Sequence, residues 1–226
     1  YLQDIKDQIS KQKEKIFNNN YDIYLILEQE ENTITKIEEN KKIKEYISQE
    51  DLGYRLSEIR NKGVAAASYS NVIILDCDML PEPTHVEAFM QYAHVSKRCV
   101  MIGGRRYVNT DDLSMDEIIE DINCALNLPS LMTNTGLVPE GDEEPSEDWR
   151  YKIYRNTENL KNEKYPFRAF CGGNVCFHKS LIEEIGGFDE TFTAWGAEDT
   201  EFGFRVYNHG YWFIPVEKAG ALHQEP

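Results

Sequence analysis

Several large protein classes are excluded by what this chain lacks. No apolar run approaches the roughly 20 residues of a membrane-spanning helix, and Tyr1 to Lys15 reads as amphipathic, not as a signal peptide. There is no CxxC pair. Cys77, Cys99, Cys124, Cys171 and Cys176 are odd in number and scattered, which favours reduced thiols over a disulfide framework or a zinc site. Basic residues are scarce, 24 against 40 acidic ones for a net charge of −16, and no basic stripe offers a grip on nucleic acid or an anionic membrane. Between Asp111 and Asp148 stand twelve Asp and Glu and no Lys or Arg, the pattern of a solvated loop and helix surface. Internal repeats and long linkers are also missing, so 226 residues with 41% apolar content are read as one domain around one sizeable core.

What is present centres on Val72-Ile73-Ile74-Leu75-Asp76-Cys77-Asp78. Four apolar, mostly β-branched residues predict a strand buried on both faces, with Asp76 and Asp78 at its carboxyl end, where open α/β sheets keep their ligand crevice. Paired carboxylates there need water or a cation, and a divalent metal holding a phosphorylated ligand meets that need. The plainer alternative is that both aspartates only start a turn before Pro81. Upstream, Leu2, Ile5, Ile9 and Ile16 mark an opening helix, Tyr21 to Leu27 a strand, and Ile43 to Ile47 a second strand. Asp51 to Tyr54 turn into a helix carrying Leu56, Ile59, Arg60 and Asn61 that stops before Gly63. Alternating strands and helices predict an α/β fold with a mixed, mainly parallel sheet flanked by helices.

Downstream, Thr84 with Glu87 predicts a capping box for a helix bearing Val86, Phe89, Met90 and Ala93. A strand over Cys99 to Ile102 is closed by Gly103-Gly104, and Met115, Ile118, Ile119 and Ile122 share a helix face. Gly172-Gly173 inside the strand-like run Phe167 to Phe177 predicts close approach of a ligand or another backbone. Ser180 with Glu183 predicts a second capping box. Trp195-Gly196-Ala197-Glu198-Asp199 combines an aromatic platform with acids at a helix start, where a carboxylate can act as general base, although Trp195 reads equally well as core. His223 near the end is a metal ligand or a packing residue.

In order along the chain, Arg60-Asn61-x-Gly63, Asp76-Cys77-Asp78, Gly172-Gly173-Asn174, Gly187-Phe188-Asp189-Glu190, Trp195-Gly196-x-Glu198-Asp199 and His223-Gln224-Glu225-Pro226 resemble glycosyltransferase family 2 with a GT-A fold. Asp148-Trp149-Arg150, Pro166-Phe167-Arg168 and Glu201-Phe202-Gly203-Phe204-Arg205 draw the likeness toward the N-acetylhexosamine-transferring domain of bacterial chondroitin polymerases and two-domain hyaluronan synthases. The resemblance implies a nucleotide-binding part over about residues 1–110, a variable acidic segment over 111–148, and a donor- and acceptor-binding part over 149–226.

It further implies metal-dependent, inverting transfer of GalNAc or GlcNAc from a UDP-sugar to a hydroxyl of a glycan, lipid-linked or peptide acceptor. Tyr54, Arg60 and Asn61 match the uridine pocket, Asp76 the ribose contact, and Gly172, Gly173 and Trp195 the sugar pocket. Asp78 and His223 match the ligands of Mn²⁺ or Mg²⁺, Asp199 the catalytic base, and Glu198 its neighbour. Displacement by an acceptor hydroxyl needs no protein nucleophile, so the missing nucleophile elbow and Cys-His pair fit.

There are two departures from the family pattern. Its first strand, with a Pro-Thr-x-Asn-like turn, is expected ahead of Tyr1, and Glu28-Gln29-Glu30-Glu31 stands where Asp-Asp-Gly-Ser is usual. Twelve carboxylates would repel a glucuronate polymer, so the acceptor is expected not to be a polyanion, and one transferase domain cannot alternate two sugars alone. A cytoplasmic location, peripheral to the membrane through other segments or partners, is expected. The competing readings are a non-catalytic sugar-nucleotide scaffold and a nucleotide-sugar hydrolase.

Overall fold

The protein is described here by a computed structural model, which covers residues 24–28, 45–49, 54–131 and 148–224. The opening helix from Leu2 to Ile16, the loop Gln29 to Glu31, the turn Asp51 to Gly53, the acidic loop 132–147 and Glu225-Pro226 lie outside the described residues. Strands β1 (Tyr24–Glu28) and β2 (Glu45–Gln49) pair in parallel, Tyr24 opposite Glu45. Helix α1 (Leu56–Ala66) then runs through Gly63 instead of stopping before it, and ends where Ala67 turns extended.

A second sheet carries the rest of the architecture. Its strands are β3 (Asn71–Leu75), β4 (Met79–Pro81), β5 (Cys99–Val108), β6 (Asn174–His178) and β7 (Trp212–Gln224), in the order β3-β6-β5-β7-β4. Only β5 and β7 are parallel in it; β3 with β6, β6 with β5 and β7 with β4 are antiparallel. The sheet is mixed, as the sequence pattern predicts, and among the described residues the parallel pairs are β1 with β2 and β5 with β7. Insertion of β6 between β3 and β5 is the reason, because that strand enters from the end at which β3 leaves.

Strand β3 departs from expectation in burial. Val72 is buried while Ile73, Ile74 and Leu75 are half-buried, because β3 is the edge of this five-stranded sheet among the described residues. Side chains alternate across the inner strands, as pleating requires. Val100, Ile102, Val175 and Phe177 face one layer with Tyr154, Phe170, Phe188, Phe202 and Val206, whereas Met101, Cys176 and Val216 face Ala88 and Phe89 on the other side. The second layer rests on α2 (His85–Ala93); α3 (Met115–Glu120) and α4 (Asn123–Leu126) follow it in the chain, and the first layer rests on α5 (Trp149–Asn156) and α7 (Glu198–Asn208). A 3-10 turn, Pro166–Ala169, and α6 (Ser180–Ile185) complete the elements.

Capping differs from the sequence expectation. Thr84 bonds the carbonyl of Lys218 instead of capping α2, and the Ser180 hydroxyl meets the His178 ring. The capping box that forms is Ser114 with Glu117 on α3. Gly103-Gly104 do not close β5. They sit inside it where the register shifts, a single β5 residue, Gly104, standing opposite the extra β7 residues between Val216 and Ala221.

Candidate active site

Antiparallel pairing of β3 with β6 builds the centre of the site, because it sets the end of one strand against the start of the other. Leu75 faces Asn174, and the Asp76 amide donates to the Gly173 carbonyl at 2.9 Å. A Cβ on Gly173 would lie 2.5 Å from an Asp76 carboxylate oxygen, and one on Gly172 would lie 2.6 Å from the Arg60 guanidinium. The close approach that this glycine pair predicts is made by the backbone at Asp76, and the space a Cβ would fill on each glycine is taken by side chains of the site, Asp76 and Arg60.

Arg60 is the hub. Its buried guanidinium donates to Glu198 Oε1 at 3.0 Å and Asp76 Oδ1 at 3.2 Å, and lies over the Phe188 ring at 5.4 Å. One cation is thus shared by two carboxylates, and Arg60 Nε and Glu198 Oε2 stay buried without hydrogen-bond partners. Buried polar atoms left in this way are costly unless a ligand completes them. Tyr54 stands near the same groups: burial, reinforced by Glu198, Asp76 and Asp199 against the pull of Arg60, pushes its hydroxyl up to about 12. Asn61, next on α1, is committed elsewhere. It accepts from the Phe188 amide and donates to the Phe188 carbonyl and Glu190 Oε1, each at 2.8 Å, so it holds the 187–190 loop against α1.

Asp199 is fixed from two sides. Its Oδ2 accepts from the Gly172 amide at 3.1 Å, and its Oδ1 from the Thr200 amide and hydroxyl. Its place in the first turn of α7, preceded by Ala197 at φ +73°, suits a carboxylate. Trp195 is 87% exposed. It is no core residue, and it stands out in solvent ahead of the helix that carries Glu198 and Asp199.

Asp78 and His223 meet across the β4–β7 edge, where Met79 pairs with His223. His223 Nε2 is 3.5 Å from Asp78 Oδ2, and Asp78 Oδ1 is buried without a hydrogen-bond partner. Among the described residues no group of three His, Cys, Asp or Glu side chains could hold a metal. Two protein ligands with an orphaned carboxylate oxygen fit a divalent ion whose remaining positions come from a diphosphate and water, the usual habit of Mg²⁺.

Three further groups have no role assigned from sequence, although Asp148 and Asn174 stand in motifs of the resemblance. Asp148 caps α5 and accepts from Arg150 Nε and Nη2 and from Arg105 Nε. Burial raises its carboxyl, but the charge and hydrogen bonds of Arg150, with Arg105 behind them, outweigh that and hold it below the ordinary aspartate range. Asn174 accepts through Oδ1 from His85 Nε2 at 2.8 Å and donates through Nδ2 to the carbonyls of Gly104 and Ala219, both at 2.9 Å. Arg105 lies over the Tyr107 ring at 4.9 Å, and Tyr107 lies beside the His223 ring at 4.9 Å. The glycine pair before Arg105-Arg106 was the available signal, since glycines within an apolar strand mark bulges.

Fold and site together define a GT-A glycosyltransferase domain. Two solved structures share the fold: S. aureus TarS residues 1–349, with a TM-score of 0.64 at 12% identity over 99% of this chain and 56% of that one, and GalNAc-T7 with UDP, GalNAc and Mn²⁺, at 0.60 and 15% over 91% and 38%. The sequence family described as the N-terminal domain of galactosyltransferase matches residues 153–223. Chondroitin synthase of Escherichia coli is 41% identical over 80% of this chain and 26% of its own length, and hyaluronan synthase of Pasteurella multocida is 36% identical over 83% and 19%. The chain belongs with the family 2 glycosyltransferases, near these polymerases, and spans about a quarter or less of their length. No helix among the described residues is long and apolar enough to cross a membrane.

Proposed function

We propose that the chain transfers an N-acetylhexosamine, GalNAc or GlcNAc, from a UDP-sugar to an acceptor hydroxyl with inversion and with the help of a divalent cation. The observation that carries this reading is the arrangement of Asp78 and His223 at one strand end, with Asp199 held by Gly172 and Arg60 tying Asp76 to Glu198. Asp76 and Tyr54 contact the nucleoside, and Asn61 acts as a positioning residue by fixing the 187–190 loop. Asp78 and His223 would hold Mn²⁺ or Mg²⁺, which would supply positive charge against a departing diphosphate. Asp199 takes the acceptor proton, and its two fixed oxygens keep the accepting lone pair aimed into the cleft. Glu198, with Oε2 unpartnered, accepts a hydrogen bond from the bound sugar, over which Trp195 closes.

Several things support the reading: the likeness to chondroitin and hyaluronan synthases, the UDP and Mn²⁺ bound by GalNAc-T7, whose fold this chain shares, and the absence of any physical reason for a dead scaffold to keep orphaned acids. A cytoplasmic location belongs to the same proposal. The test is UDP release from a panel of UDP-sugars with Mn²⁺, with and without mixed glycan acceptors. One donor should be turned over only with metal. Asp78→Ala should abolish the metal requirement together with turnover, and Asp199→Asn should lower kcat about 10²- to 10⁴-fold. Free sugar released equally without acceptor would indicate a hydrolase, and donor binding without any release a scaffold.

A further inference from the structure

The two proposed metal ligands come from places that strand pairing alone does not fix. Asp78 stands in the turn between β3 and β4, and His223 is the penultimate residue of β7. Met79 faces His223 across β4 and β7, and Tyr107 faces it across β5 and β7. This register brings the two ligands side by side, yet Asp78 precedes the first paired residue of β4, so the ladder leaves the aim of its carboxylate open. Metal ligands are ordinarily held from behind by groups that do not themselves ligate. His223 has the buried ring of Tyr107 against it at 4.9 Å. For Asp78 the corresponding support comes from Gln224.

Gln224 is 4% exposed and sits in apolar company. Leu222, two residues before it on β7, is fully buried, and so is Val108, its partner on β5. An aliphatic side chain would fill such a place without the cost of desolvating an amide. The bonds of the amide show what it does there. The Gln224 backbone N–H donates to the Asp78 carbonyl at 2.9 Å, and the side-chain Nε2 donates to the same oxygen at 3.5 Å. Its Oε1 accepts from the Thr110 hydroxyl at 3.0 Å. A carbonyl can only accept, so the amide must turn its nitrogen toward Asp78 and its oxygen toward Thr110, which makes the hydroxyl the donor. Thr110 is itself anchored, two residues beyond β5, where its carbonyl accepts from the Leu113 amide at 2.9 Å. These bonds grip the main chain of Asp78 and spare its carboxylate. Oδ1 stays buried without a partner, and Oδ2 lies 3.5 Å from His223 Nε2.

We propose that Gln224 and Thr110 are positioning residues for the metal site, a brace that runs from the Thr110 hydroxyl through the Gln224 amide to the Asp78 carbonyl and keeps the Asp78 carboxylate converging with the His223 ring. The inference rests on the reading of Asp78 and His223 as ligands of a divalent cation. Neither bracing side chain is charged, so the pair sets the geometry of the site without changing the charge it offers to a cation. Without the Thr110 hydroxyl the amide loses the bond that orients it, and its 3.5 Å contact, already long for a hydrogen bond, is the first to go. The turn then keeps the backbone bond alone. Metal binding should weaken while the nucleotide contacts proposed for Tyr54 and Asp76 stay as they are.

The test is a titration of Mn²⁺ into the full chain saturated with UDP, the free ion being followed by its EPR signal and UDP alone serving as the blank. Thr110→Val keeps the shape of the side chain and removes the hydroxyl, and it should weaken Mn²⁺ about tenfold, as loss of an outer-shell group does at other metal sites. Thr110→Ser restores the hydroxyl and should restore the wild-type affinity. Gln224→Met, which keeps the backbone bond and most of the volume, should lose as much as Thr110→Val. Affinity for UDP without metal should be the same in all three variants, because a general loosening of the fold would weaken UDP and Mn²⁺ together. Unchanged Mn²⁺ affinity in Thr110→Val and Gln224→Met, parallel losses for UDP and Mn²⁺, or a Thr110→Ser variant as weak as Thr110→Val would overturn the brace. No uptake of Mn²⁺ by the wild type would instead overturn the metal site on which it is built.

Discussion

Arg60 shows how one side chain can be both structure and site. Its neighbours Asp76 and Glu198 come from the end of β3 and the start of α7, far apart in sequence, and the guanidinium is the only cation placed to compensate both among the described residues. Removal leaves Glu198, which is buried, as an unpaired charge. Arg60→Ala should cost about 3–5 kcal/mol of folding stability, the usual penalty for breaking a buried ion pair. A shift of the urea midpoint corresponding to less than about 1 kcal/mol would show that water replaces the guanidinium. Arg60→Lys should recover only part of the loss, because an ammonium cannot reach two carboxylates with the planar fork that Arg60 uses.

At the level of elements, the register shift between β5 and β7 is held by Asn174. Its amide donates to the carbonyls of Gly104 and Ala219 on two neighbouring strands, while its oxygen accepts from His85 of α2. Three elements are joined through one buried side chain, immediately after the glycine pair that cradles Arg60 and Asp76. Asn174→Ala leaves two carbonyls and a ring nitrogen unsatisfied, so a loss of roughly 3 kcal/mol is expected. A urea midpoint shift corresponding to less than about 1 kcal/mol would show that water replaces these bonds.

Considered as a whole, the molecule should be labile to acid in a definite window. His85 is fully buried, and desolvation, only partly offset by the bond it donates to Asn174, lowers its ring to about 4. The folded state therefore resists protonation that the unfolded chain accepts near 6.5. Stability is fully present above about 6.5 and is lost as the pH falls toward 4, by about 3 kcal/mol from this residue. Asp148 acts in the same direction at lower pH. Its carboxyl lies below the ordinary range, so the stability it contributes above that range is lost as the pH falls through its folded value. Unfolding monitored between pH 7 and 4 should show this slope. His85→Gln, which keeps a donor for Asn174, should flatten its upper part, and an unchanged slope would assign the acid lability to other groups.

Much of the site was legible because local chemistry announces itself locally. Asp76, Asp78, Glu198, Asp199 and the glycine pair stand at strand ends and helix starts, where periodicity and residue type suffice to place acids beside a crevice. The alternation of helices and strands likewise determined the α/β class. What the chain alone left open was decided by pairing between distant segments. Insertion of β6 beside β3 left that strand at the edge and, among the described residues, two strand pairs parallel. It also brought Gly172 and Gly173 against the Arg60 and Asp76 side chains. Trp195 could be core or platform until tertiary packing left it in solvent, and Asn61 went to the Phe188 loop because that loop folds back onto α1. Arg105, Asp148 and Asn174 had no role as sequence, even though Asp148 and Asn174 stood in motifs of the resemblance, since a buried polar residue shows its purpose only through the partners that folding brings to it. Sequence determines which groups can do chemistry and at which element ends they sit. Long-range register, set by the whole core, decides which of them meet.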